Sequence, residues 1–366
     1  MTVTAAPDAA ARRDALAERL FAAALGAFDL LTIALGDRLG LYRSLAEDGP
    51  ATPSELASRA GMAPRYAREW LEQQAVGGFL EVDDPDAAAD DRRYRLPEGS
   101  AEVLVDPESL STMTPMAHFV VGASDSLADL AAAYRTGGGV PWDAYPAIPR
   151  AEDAMNRPAF RELLTTEWTP ALADIHVRLT AHGGRIADVA CGMGWSTIAL
   201  ARGYPLAKVD GLDLDRTSIE HASRRLATDA ADVADRVTFQ SRDAADPQLA
   251  GRYDLAMIFE ALHDMAHPVD VLRAVRGLLA PGGALLVVDE RVNETFVAPG
   301  DEIERVMYDY SVLFCLPNGM AEPGSVGTGT VLRPAALEKL AADAGFGSVT
   351  ILPVDHPTFR FYRLDP

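Results

Sequence analysis

From Arg185 onward the chain repeats one pattern: a short apolar run, then a stretch with helical spacing. RIADVA, KVDGLD, RVTFQ, YDLAMIF and ALLVVDE are the apolar runs. Strands that alternate with helices at such intervals form a parallel sheet with helices packed on its faces. An α/β fold is therefore expected over residues 181–366. In an open sheet of this kind, ligands bind outside the carboxyl ends of the strands.

The segment DVACGMGWST follows the first of these runs and opens a helix. Gly192 and Gly194 let the backbone pass close to a ligand at the strand end. About 20 residues on, Asp213 in GLDLD ends the next run and is placed to accept bonds from a ribose diol. The third glycine of a dinucleotide fingerprint is replaced by Thr197, and Ala190 stands where such turns often carry a further glycine. Both departures weaken a nicotinamide dinucleotide reading.

The amino-terminal third has a different grammar. Leu16, Leu20, Ala24, Phe28, Leu31, Leu35 and Leu39 form a helical stripe, and a buried amphipathic helix is expected there. Asp29 and flanking charges speak against a membrane crossing. TPSELASRAG then carries a capping box, with Thr52 as cap, Pro53 in the first turn, Glu55 three residues after the cap and Gly61 at the end. A second helix, APRYAREWLEQQAVGG, follows, with Tyr66 and Trp70 expected on its core face. FLEV and RRYRL flank an acidic loop as a hairpin wing would. The order predicts a winged-helix domain over 1–107. Residues 108–180 read as a helical connector and substrate roof, broken at RTGGGVPWDAYP, while the alanine-rich first ten residues are expected to fray.

Charge and cysteine usage exclude several classes. Thirty-three basic residues against 54 acidic ones give a net charge of −21, so nucleic acid is a poor partner. Glu69 and Glu72 share the second helix with Arg65 and Arg68, which leaves dimerisation or substrate capping as the better role for the domain. Two cysteines, Cys191 and Cys315, rule out a disulfide framework and a tetrathiolate zinc site. Arginine greatly outnumbers lysine and alanine is abundant, as in GC-rich bacterial genomes. A cytoplasmic protein is expected, since no apolar core follows the first charges.

DVACGMG, GLDLD, SRDAAD, YDLAMIFEALHDM and LLAPGGALLVVDE follow one another as do the motifs of class I S-adenosylmethionine-dependent methyltransferases. With the winged-helix region in front, the chain resembles small-molecule O-methyltransferases that form homodimers. The resemblance implies a Rossmann-like seven-stranded sheet, parallel with one antiparallel strand, the latter at RFYRL. It implies S-adenosylmethionine as cofactor, with Asp188, Gly192 and Gly194 along the methionine half and Asp213 on the ribose. Leu214 would lie against adenine, Asp243 would accept from its amino group with Ala244 beside it, and Phe259 would close the site.

FEALHDMAHP places His263 and His267 four apart, as in a zinc-protease helix. YDLAMIF is a strand, however, and Pro268 fits the first turn of the next helix, so the two imidazoles need not share a face. No metal is expected. The resemblance assigns His263 as general base toward a substrate hydroxyl, with Glu290 as the residue that could orient it. Met307, Tyr310 and Phe314 lie at helical spacing and suggest an apolar or aromatic acceptor. Two rival readings stay open: a DNA-binding regulator that senses S-adenosylmethionine, and a lyase or cyclase that uses the same cofactor site.

Overall fold

The computed structural model describes residues 8–366; residues 1–7, most of the stretch expected to fray, lie outside the described residues. The chain divides into two compact units. One comprises residues up to Ser124 with Arg150–Met155; the other comprises Asp125–Pro149 with Asn156–Pro366. The connector expected over 108–180 is therefore not a unit of its own. Phe160, Leu164, Trp168, Leu172, Ile175 and Leu179 belong to the core of the second unit, whereas Ala117 belongs to that of the first.

In the first unit, helices Ala9–Arg38, Leu41–Glu47, Pro53–Ala60 and Pro64–Val76 precede an antiparallel pair, β1 (Glu81–Val82) and β2 (Tyr94–Arg95). The capping box forms as expected: the Thr52 hydroxyl accepts from the Glu55 amide, the Glu55 carboxylate accepts from the Thr52 amide, and left-handed Gly61 ends the helix. Trp70 is buried, with its indole N–H donating to the Thr32 carbonyl at 3.1 Å and its ring edge-on to Tyr42 at 5.0 Å. A Cβ on Gly36 would meet the Trp70 ring at 2.4 Å, so only glycine lets the two helices approach this closely.

Two expectations fail here. Tyr66, in the first turn of its helix, is 74% exposed rather than core. The long helix is not buried either: Leu16, Leu20, Phe21, Leu25, Phe28, Leu31, Leu35 and Leu39 are all exposed, and only Ile33, Ala34 and Gly36 are covered. At 1.5 Å per residue this helix is about 45 Å long, and the small core of its unit takes only its last turns. It is also, among the described residues, the one helix long and apolar enough to cross a membrane.

The second unit holds seven strands: β3 (Gly184–Val189), β4 (Ala207–Asp213), β5 (Val237–Ser241), β6 (Tyr253–Phe259), β7 (Leu279–Glu290), β8 (Ser348–Ile351) and β9 (Phe359–Asp365). Their order is β5-β4-β3-β6-β7-β9-β8, with β9 antiparallel to both neighbours and the rest parallel. The expected Rossmann-like sheet, including the antiparallel RFYRL strand, is present. Strand alternation sends Ile186, Leu255 and Met257 to one apolar layer, and Ala187, Ala256 and Ile258 to the other. The direction of winding reverses between β3 and β6, which opens a crevice at their carboxyl ends.

Candidate active site

After β3 the chain turns into the helix Trp195–Gly203. Ala190, Gly192 and Gly194 all take left-handed φ, at 58°, 51° and 88°. Ala190 carries a strain of about 1–2 kcal/mol that glycine would not. The two glycines serve different ends. A Cβ on Gly192 would meet nothing within 4 Å, whereas one on Gly194 would strike Phe239 of β5 at 2.5 Å. Gly192 therefore faces open space that a ligand can enter, and Gly194 packs the helix onto the sheet.

Asp188 lies beneath this turn. Its carboxylate accepts from the Ser196 and Thr197 hydroxyls, both at 2.6 Å, and stitches the strand to the start of the helix. Burial pushes it up to about 6, the two hydroxyls oppose this, and Asp213 adds to it. Thr197, at the place of the missing glycine, thus has a structural task.

Asp213, at the end of β4, accepts from the Gly192 amide at 2.9 Å and the Asp215 amide at 2.8 Å. Burial raises its proton affinity while these amides lower it. Each oxygen keeps a further lone pair for a ligand hydroxyl. Beside it Leu214 is 71% exposed, an apolar surface left uncovered at the crevice. The Arg242 amide donates to the Asp213 carbonyl at 3.0 Å, which brings exposed Asp243 alongside, and Ala244 packs on the apolar layer below. These residues fit an adenosyl group: a diol acceptor, an apolar platform and an outer acceptor around free space. Phe259 is buried among Phe160, Trp168 and Phe359 at ring distances of 4.5–5.5 Å, so it supports the wall from within.

His263 lies in the tight turn Leu262–Asp264 that leaves β6, and His267 is exposed just before the helix Pro268–Leu278. The two imidazoles share no helical face, as the sequence predicts. His263 is 3% exposed; its Nδ1 pairs with Asp289 Oδ1 at 2.8 Å and its Nε2 lies 3.5 Å from Asp264 Oδ1. Burial alone would lower its proton affinity, but Asp289 and Asp264 outweigh this and raise it well above the ordinary value.

The carboxylate that orients the imidazole is Asp289 and not Glu290. Successive strand residues point to opposite faces, so Glu290 turns away from the ring and meets Glu260 instead. Glu260 also accepts from Asn156. Burial pushes Glu260 up to about 7, and Glu290 well above the carboxylate range. Glu260 itself holds a left-handed φ of 46°. No motif or spacing in the sequence marks Asn156, Glu260 or Asp289, the last of which adjoins Glu290.

The insertion after β7 forms a helix, Glu302–Tyr310, which widens into a π turn, Ser311–Cys315. Met307 and Phe314 are buried and Tyr310 half-buried; Phe314 packs on Tyr145 at 5.7 Å and on Tyr310 at 6.2 Å. Buried Glu304 pairs with Arg333 at 2.7 Å and accepts from the Asn293 amide, which pins the insertion to the sheet. The π turn brings Cys315 to His263 and Asp264, whose ligating atoms lie within 4.8 Å of one another. Burial raises the thiol to about 12, so it stays protonated and bonds to Asp264.

A methyltransferase-domain model matches residues 187–285, and a model described as the Rv2258c-like winged HTH domain matches residues 26–106. The trans-aconitate 2-methyltransferase of Methylobacterium radiotolerans is 31% identical over 205 residues, covering 55% of this chain and 68% of that protein. The 27-O-demethylrifamycin SV methyltransferase of Amycolatopsis mediterranei is 34% identical over 129 residues, or 35% of this chain and 46% of that protein. The chain thus spans about half the length of the first curated relatives it matches. Human N-acetylserotonin methyltransferase, solved with its methyl donor, shares the fold with a TM-score of 0.67 at 19% identity, over 99% of both chains.

Proposed function

This chain belongs to the class I S-adenosylmethionine-dependent methyltransferases, and we propose that it methylates a hydroxyl of a small molecule with His263 as general base. The observation that carries the reading is the His263–Asp289 pair, at 2.8 Å, between the turn that leaves β6 and the end of β7, with β6 the strand beside the glycine turn of β3. S-adenosylmethionine supplies an electrophilic methyl group on a sulfonium. Asp213 would hold the ribose hydroxyls, Leu214 the adenine face and Asp243 its amino group, while Gly192 leaves room for the methionine half. His263 would take the acceptor's proton at Nε2, because a neutral hydroxyl is a poor nucleophile until that proton leaves. Asp289 holds the ring by Nδ1 and stabilises the imidazolium that results.

Met307, Tyr310 and Phe314 would supply apolar walls that align the acceptor and exclude water, and alignment alone can remove about 7–11 kcal/mol of a barrier at best. The uncovered stripe on the helix Ala9–Arg38 supports a homodimer, since contiguous apolar surface of this kind marks an association site. The composition supports a bacterial source, and two free cysteines suit a cytoplasmic setting. His263→Ala tests the reading: turnover should fall at least about a hundredfold while donor affinity stays within a factor of a few. Unchanged turnover would remove His263 from the chemistry.

A further inference from the structure

Glu260 and Glu290 form a buried acid pair that the general-base reading does not use. Each carboxyl lies within hydrogen-bonding reach of the other. Glu290 is 5% exposed, yet its Oε2 has no hydrogen-bond partner. The groups around the pair are His263, Asp289 and Asn156, with Asp264 and the Cys315 thiol beyond, against the imidazole. Asp289 and Asp264 flank the imidazole, and its charge also reaches the Glu260–Glu290 pair. Two buried carboxylates in contact need a proton or another cation between them, and the orphaned oxygen marks where a cation is wanted.

The position of the pair says which cation. Val189 of β3 is in register with Ile258 of β6, so Glu260, two residues further on, stands across from the glycine turn. The charge of His263 is felt at the same carboxyl. A methyl group in transit has to lie between the cofactor turn and the base-held hydroxyl, and the sulfur lies just behind it. We infer that Glu260 and Glu290 recognise the positive charge of the donor's sulfonium, and thereby favour S-adenosylmethionine over its neutral demethylated product. This rests on the methyl-transfer reading above.

The charge balance suits that role. In the transfer the S–CH3 bond breaks with its electron pair left on sulfur, the O–CH3 bond forms, and the hydroxyl proton passes to His263. One positive charge faces the acid cluster before the step, on sulfur, and one after it, on the imidazole. The pair can thus hold the donor tightly without losing its counter-charge as the reaction proceeds. A sulfonium beside the cluster also lowers the proton affinity of His263, so donor binding prepares the base.

Calorimetry with S-adenosylmethionine and S-adenosylhomocysteine tests this without any acceptor. Glu290→Gln and Glu260→Gln should each weaken the sulfonium ligand at least about tenfold and leave the thioether ligand within about twofold. Equal effects on both ligands would overturn the inference. Should neither variant fold, the wild-type protein decides: its preference for the sulfonium should shrink from about pH 8 to about pH 5 as the pair takes up protons, and a constant preference would refute it. Wild-type protein that binds neither ligand would defeat the methyl-transfer reading itself, a distinct result.

Discussion

Replacing each glycine of the turn by alanine should give two different proteins. Gly192 and Gly194 both have left-handed φ, so either substitution costs about 1–2 kcal/mol of backbone strain. The alanine also restricts the unfolded chain, which returns about 0.4–1 kcal/mol. At Gly192 the new methyl meets nothing within 4 Å, and the net loss should stay near or below about 1.5 kcal/mol. At Gly194 the methyl would lie 2.5 Å from Phe239 and 3.0 Å from Ala222. Overpacking of this kind adds about 1–3 kcal/mol, so Gly194→Ala should lose about 2–4 kcal/mol in all. Urea unfolding measures the first difference and calorimetry with S-adenosylhomocysteine the second. Gly192→Ala should fold well and bind the ligand poorly, because its methyl enters the space assigned to the methionine half. Gly194→Ala should be the less stable of the two. Equal stabilities, or undiminished ligand binding by Gly192→Ala, would refute the division of labour in the turn.

Ala190→Gly should change stability little or raise it by up to about 1 kcal/mol, since relief of strain at φ 58° competes with a freer unfolded chain; a clear loss in urea unfolding would contradict this. Asp289→Asn should shift the acid limb of the pH–rate profile to lower pH. The sign follows from His263: it acts when neutral, Asp289 raises its proton affinity, and the amide removes that bias. Turnover should fall as well, and an acid limb that does not move would count against the pair. Leu20→Glu combined with Phe28→Glu should convert a dimer to monomers in light scattering, as charge enters the exposed stripe; a mass unaffected by the change, or monomeric wild-type protein, would exclude that surface as the interface.

What the sequence made legible is mostly local. The capping box at Thr52, the helix start at Pro268 and the strand–glycine–helix order after Val189 depend on a few adjacent residues whose backbone preferences are strong. The alternating apolar runs set the parallel sheet because buried strands and amphipathic helices have different periods. Burial of the long helix could not be read, since an apolar stripe has the same spacing whether its partner is its own domain or something else. The site failed by one residue at Asp289, where strand parity decides which carboxylate meets the imidazole. Contacts such as Asn156 with Glu260, or Glu304 with Arg333, join residues far apart in the chain and leave no periodic mark.

The most direct test of the central claim is transfer of a labelled methyl group. Purified protein, S-adenosylmethionine with a trideuterated methyl and a panel of aromatic and apolar hydroxyl compounds would be read by mass spectrometry. The account predicts a product heavier by one trideuteromethyl in place of a hydroxyl proton, formed by the wild-type protein and lost with His263→Ala. A product of unchanged mass, or label found on a site that needs no deprotonation and is formed equally well by the variant, would contradict it.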